Sequence, residues 1–107
     1  MMGVEGKLFE ASTPLGFIVS VKAEQWEKIV TFKHPVMSGR ERDVQRTLES
    51  PEEVRRSRKD PAVYLFYRTE RSKRWLCAVA KKLQETGFLI TAYVTDSVKI
   101  GESVWRS

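Results

Sequence analysis

The sequence predicts an α+β fold: two N-terminal helices packed on one face of a four- to five-stranded antiparallel sheet, one domain spanning residues 1–107. Three observations carry that expectation. Apolar residues recur at helical spacing from Trp26 to Pro51 and at two-residue spacing after it. Three consecutive runs beyond Pro51, "AVYLFYRTE", "KRWLCAVAKKL" and "GFLITAYVTD", are rich in Val, Ile, Tyr, Phe and Trp and are separated by short polar breaks. A chain of 107 residues is long enough for one small core and too short for two.

Taken in order, "GKLFEAS" and "LGFIVSVK" flank Thr13-Pro14 and read as two short strands joined by a turn. In "AEQWEKIVTFKHP", Trp26, Ile29 and Val30 stand at i, i+3 and i+4, the stripe of a helix that Pro35 ends. "SGRERDVQRTLESP" repeats the pattern, with Ser38 as N-cap, Val44, Thr47 and Leu48 facing inward, and Pro51 just past the end. "EEVRRSRK" is a strand or an extended arm, and the three apolar runs make an antiparallel meander. "SVKIGESVW" adds a final short strand. Helices followed by consecutive hairpins place both helices on one side of the sheet. If Phe66 pairs near Cys77, and Val79 near Ala92, the helix-facing side carries Tyr64, Phe66, Trp75, Cys77, Val79, Phe88, Ile90, Ala92 and Val94. The other side then carries Leu65, Tyr67, Leu76, Ala78, Ala80, Thr91, Tyr93 and Thr95; a one-residue slip exchanges the two faces.

Composition narrows the function classes. No apolar run exceeds strand length, so a membrane span is not expected, and "MMGVEGKLFE" lacks the pattern of a secretory signal. The single cysteine, Cys77, lies in the apolar run "WLCAVA" and reads as a buried thiol of a cytoplasmic protein. One Cys and one His do not make a metal-ligand set, and no cofactor motif occurs. The net charge of +5 is confined to one sector: residues 40–82 hold thirteen basic and seven acidic side chains, while the flanking segments are close to neutral. Such a sector is what an anionic polymer would need, and is also what solubility alone can produce.

Candidate chemistry is concentrated in few residues. His34, the only histidine, ends the first helix and precedes Pro35. It is either a cation at the helix C-terminus or a general acid or base, because imidazole titrates nearest neutral pH. Arg55, Arg56, Arg58 and Lys59 form the densest positive group, either a phosphate-binding set or a charged edge that blocks sheet aggregation. Tyr67, Tyr93, Thr91 and Thr95 put hydroxyls on one strand face, where tyrosines can stack on unpaired bases or merely satisfy strand propensity. Serines at 20, 38 and 103 lack the partners of a hydrolase triad.

The order "WEKIVTFKHP", "LESPEEVRRSRKD", "VYLFYR", "WLCAVAKK" and "FLITAYVTD" resembles the barnase–EndoU–colicin–RelE group of small nuclease-like domains, in particular its phage-associated and bacterial branches. The likeness covers Val19 to Asp96. Its marks are the helix-terminal histidine before proline, the P-x-x-V-x-x-S step into the sheet and T-A-Y-x-T on the last long strand. The resemblance implies metal-independent RNA cleavage, in which the ribose 2′-hydroxyl attacks the adjacent phosphate on the sheet face away from the helices. On that reading His34 transfers a proton, and Arg56, or its neighbour Arg55, stabilises the pentavalent phosphate. Tyr93 and Thr95 orient the phosphate, Tyr67 stacks on a base, and Ser57, Arg58, Lys59 and Lys81 bind substrate. No second histidine is present, so Lys81, Tyr67 or Tyr93 takes the other proton role. RNA is the expected partner, with an acidic inhibitor protein beside it if the domain is toxin-like. The competing class is a non-enzymatic RNA- or protein-binding module using the basic sector 40–82.

Overall fold

Alternating apolar residues in the first twenty positions do build strands, and those strands join the main sheet. The computed structural model describes residues 6–98 and 101–107. In chain order it contains β1 (Lys7–Ser12), β2 (Ile18–Lys22), α1 (Ala23–Lys28), a π-helical turn (Ile29–Lys33), a 3-10 turn (Pro35–Met37), α2 (Glu41–Glu49), β3 (Glu53–Arg56), β4 (Val63–Arg71), β5 (Arg74–Lys82), β6 (Thr86–Thr95) and β7 (Glu102–Arg106). These strands form one seven-stranded sheet in the order β1-β2-β6-β5-β4-β3-β7. The class is α+β as expected, but the sheet is larger than four or five strands, two strands precede the helices, and β2 pairs parallel to β6. The physical reason lies in the N-terminal hairpin. Ala11, Phe17, Val19 and Val21 are each at most 1% exposed, and an isolated two-stranded hairpin has nothing to bury such residues against. Adding β2 to the edge of β6 puts them under the helices.

One large core fills the space between helices and sheet. Trp26, Ile29, Met37, Val44 and Leu48 pack from the helical side on Val54, Phe66, Leu76, Ala78, Ala80, Leu89 and Ala92. Alanines on the central strands leave room for the helices, and Phe17 meets Phe66 edge-on at 6.3 Å between ring centroids. The expected cap of α2 is not used. Arg40 occupies the N-cap position without a side-chain hydrogen bond to the helix end, and instead bridges Asp43 and Glu70 at 2.9 and 2.6 Å.

The faces of β4 and of β6 from Thr91 onward follow the sequence expectation, whereas β5 is turned over. So is the start of β6, where the bulge at Ile90 puts Leu89 in the helix-side core and turns Phe88 and Ile90 away. Phe66 pairs with Ala78, one residue on from Cys77, and Val79 pairs with Thr91 in place of Ala92. Leu76, Ala78 and Ala80 therefore face the helices, and Trp75, Cys77 and Val79 face away. The cause is local: a two-residue turn with Lys73 at φ +58° and a bulge between Thr69 and Arg71 move the pairing by one residue. Leu65, Tyr67, Cys77 and Val79 make a second, smaller cluster on the face away from the helices, packed by Val63, Trp75, Ile90, Tyr93 and Val98. Of the expected final strand 97–105, Lys99 and Ile100 lie outside the described residues, and only Glu102–Trp105 fall in β7, on the outer edge of β3.

Candidate functional site

β2 leaves β6 after Ser20, because the chain turns into α1 at Ala23. The outer edge of β6 beyond Phe88 is thus met by a side chain of α1 and not by a strand. Gln25 donates its Nε2 to the Ile90 carbonyl at 3.0 Å. The π-helical turn follows, closed by the His34 amide donating to the Ile29 carbonyl at 2.7 Å. A π turn holds one residue more than an α turn and so changes the direction of the side chain that follows. Pro35 then commits the chain to the 3-10 turn. The result is that the half-buried His34 comes round the edge of β6, its ring centroid 5.5 Å from that of Tyr93.

Tyr93 belongs to the small cluster on the far face, in a cross-strand row Glu53, Tyr67, Cys77, Tyr93 that runs through β3, β4, β5 and β6. Burial pushes the pKa of its hydroxyl up, and Cys77 and Tyr67 beside it add to the effect. The hydroxyl stays protonated throughout the neutral range and acts as a hydrogen-bonding group, not as a base. Next to it, at the bulge between Val79 and Ala80 in the β5–β6 register, the Thr91 Oγ1 is buried without a hydrogen-bond partner among the described residues. Bulges recur beside functional sites because they re-aim a side chain.

The remaining sequence candidates are dispersed. Arg55 shares the far face, where its Nε donates to Glu53 at 2.9 Å and one terminal nitrogen to the Gly101 carbonyl at 3.2 Å. Arg56 lies on the helix side, over the Tyr64 ring at 5.7 Å and near Glu102, so it is separated from His34 by the sheet itself. Tyr67 is 1% exposed and has no open ring face to offer a base. Thr95 exchanges hydrogen bonds with the backbone of Ser97, and the Ser57 hydroxyl accepts from the Lys59 amide. Arg58 and Lys59 are exposed in the turn between β3 and β4. Lys81 is ion-paired with Asp60 at 3.2 Å, and the Ala62 amide and Lys81 together hold the Asp60 carboxyl below its ordinary pKa. His34 and Tyr93 are thus the expected pair that meets.

No family model, curated protein or solved structure matches this chain. The nuclease resemblance therefore rests on the sequence motifs, and the site on its geometry. Sequence alone places Thr91 among several strand hydroxyls; its orphaned oxygen depends on a bulge that no residue pattern announces. Among the described residues, no helix is long and apolar enough to cross a membrane, and no three His, Cys, Asp or Glu side chains are grouped to hold a metal ion.

Proposed function

We propose that this protein cleaves single-stranded RNA at the edge of β6, with His34 as the proton-transfer residue. The observation that carries the reading is the position of the one histidine: a π turn brings it to the far-face tyrosine, half-buried and still open to substrate. In the reaction His34 takes the proton of the ribose 2′-hydroxyl as the 2′-oxygen bonds to phosphorus. The bond from phosphorus to the 5′-oxygen breaks, and that oxygen leaves with a proton from water. Products are a 2′,3′-cyclic phosphate and a free 5′-hydroxyl. Tyr93, its protonated hydroxyl buried, does not meet the phosphate but backs the His34 ring at the strand edge. Arg55 stands three strands from Tyr93, about 14 Å at normal strand spacing, and is held by Glu53 and the Gly101 carbonyl, so it does not serve the reacting phosphate.

The test is cleavage of an unstructured oligoribonucleotide by wild type and by His34→Ala, with EDTA present and with the product ends determined. A second reading, RNA binding without cleavage, is favoured by the dispersal of the arginines: Arg55 is occupied by Glu53 and Arg56 lies behind the sheet. Wild-type protein that binds RNA and leaves it intact from pH 5 to 9 would establish that second reading.

A further inference from the structure

The divergence of β2 from β6 opens a groove of about 470 Å³ beside His34, a size that takes a small molecule or a single nucleotide. Its apolar wall includes Leu83, Phe88 and Ile90, and its cations are Lys22 and Lys33. Leu83 is 60% and Phe88 43% exposed, two large apolar side chains at one place on the surface of a small domain. Among the described residues, no carboxylate lines the groove. Glu10, which accepts from the lining residue Ser20, is itself paired with Lys7 at 2.6 Å. The groove is also continuous with the site. Lys33 immediately precedes His34, and Ile90 packs in the same cluster as Tyr93.

We propose that this groove holds one unpaired nucleobase of the RNA strand, stacked on Phe88, while Lys22 and Lys33 neutralise the phosphates on either side of it. The proposal rests on the nuclease reading for the identity of the polymer, and deepens it by naming the subsite that aligns the strand at His34. An exposed ring, adjacent aliphatic surface and two ammonium groups together are the elements that grip a single strand: stacking is tolerant of base identity, and charge tracks the backbone. An uncharged apolar ligand would leave the two lysines without a function. An acidic peptide would leave the ring without a planar partner. The groove also supplies cations at the point where Arg55 and Arg56 do not reach.

The probe is an end-labelled 2′-O-methyl RNA octamer, which has no free 2′-hydroxyl and is not cut by this route, followed by fluorescence anisotropy. Phe88→Ala is expected to weaken binding about ten- to a hundredfold, Phe88→Trp to retain it, and both to keep the wild-type melting temperature within a few degrees. Lys22→Gln with Lys33→Gln should lower the slope of log affinity against log salt by about 1.4, roughly 0.7 for each phosphate that is no longer neutralised. An octamer of abasic residues should bind weakly and be indifferent to Phe88→Ala. The proposal is overturned if the folded Phe88→Ala protein binds the octamer as wild type does, if wild type does not bind it, or if the abasic strand loses as much on that substitution. These outcomes are separable from the nuclease reading. Cleavage abolished by His34→Ala with octamer affinity unmoved by Phe88→Ala removes the groove and keeps the enzyme. An affinity loss on Phe88→Ala in a protein that cuts no RNA keeps the groove and removes the enzyme.

Discussion

His34 stands at the end of a π turn outside the main core, and this makes its role separable from stability. His34→Ala should fold normally and bind RNA nearly as well, while cleavage falls by about 10²–10⁴, the usual worth of positioned acid–base catalysis. Unchanged cleavage would return the histidine to a helix-end residue. Tyr93 makes a second, independent statement at the same scale. Its folded pKa lies above the unfolded value near 10. Above pH 10 the unfolded chain therefore loses a proton that the folded one keeps, so stability is intact below about pH 10 and declines as pH rises from there. Tyr93→Phe should flatten that alkaline decline in melting temperature; an identical decline in the variant would count against burial of the hydroxyl. The histidine is legible in the sequence, since it is unique and precedes a proline. Of the two arginines that the resemblance offers, Arg56 lies off the expected face and Arg55 on it, and the strand itself carries the signal. Val54 is the one apolar residue of its strand and has to face the core. Arg56, two residues on, shares that side, and Arg55 takes the other.

At the scale of elements, β5 marks the limit of what periodicity can tell. Leu76, Ala78 and Ala80 form one alternating apolar series and Trp75, Cys77 and Val79 the other, so both faces look like core and only the turn decides between them. That turn depends on Lys73 in a left-handed conformation and on a bulge, neither of which has a glycine to announce it. The register has a direct test. Ala78 is fully buried between Phe66 and Ala92 under the helices, so Ala78→Leu should cost about 1–3 kcal/mol through overpacking. Phe66→Ala should cost about 3–5 kcal/mol through the cavity it leaves. Chemical denaturation of the two variants measures both. An Ala78→Leu protein as stable as wild type would mean that this position faces away from the helices, as the turn lengths alone suggest. The N-terminal hairpin is legible as strands but not as part of the sheet, because a parallel pairing between residues nearly seventy positions apart leaves no local trace.

Over the whole molecule, the basic sector that stands out in the sequence is divided by the fold into structural and solvent-facing charge. Arg55 ties β3 to the backbone of Gly101 and to Glu53, which Arg106 of β7 also meets at 3.4 Å; Arg56 reaches Glu102. These links fasten β7 to the edge of the sheet. Arg58 and Lys59 face water in the adjoining turn, towards the opposite edge of the sheet from β6 and its groove. Two pairs of substitutions should therefore behave differently. Arg55→Gln with Arg56→Gln should cost about 1–2 kcal/mol of stability, the net worth of one or two partly buried hydrogen bonds, and should loosen the C-terminal strand in amide exchange. Arg58→Gln with Lys59→Gln should leave the melting temperature unchanged and lower the salt slope of RNA affinity by about 1.4 if a strand bound at β6 continues across the far face to this turn. Measured on a short and a long oligonucleotide, that decrease should appear only for the long one, because β3 and β6 are about 14 Å apart. An unchanged slope on both lengths would leave the turn as solvated charge and confine the strand to the edge of β6, where His34 stands.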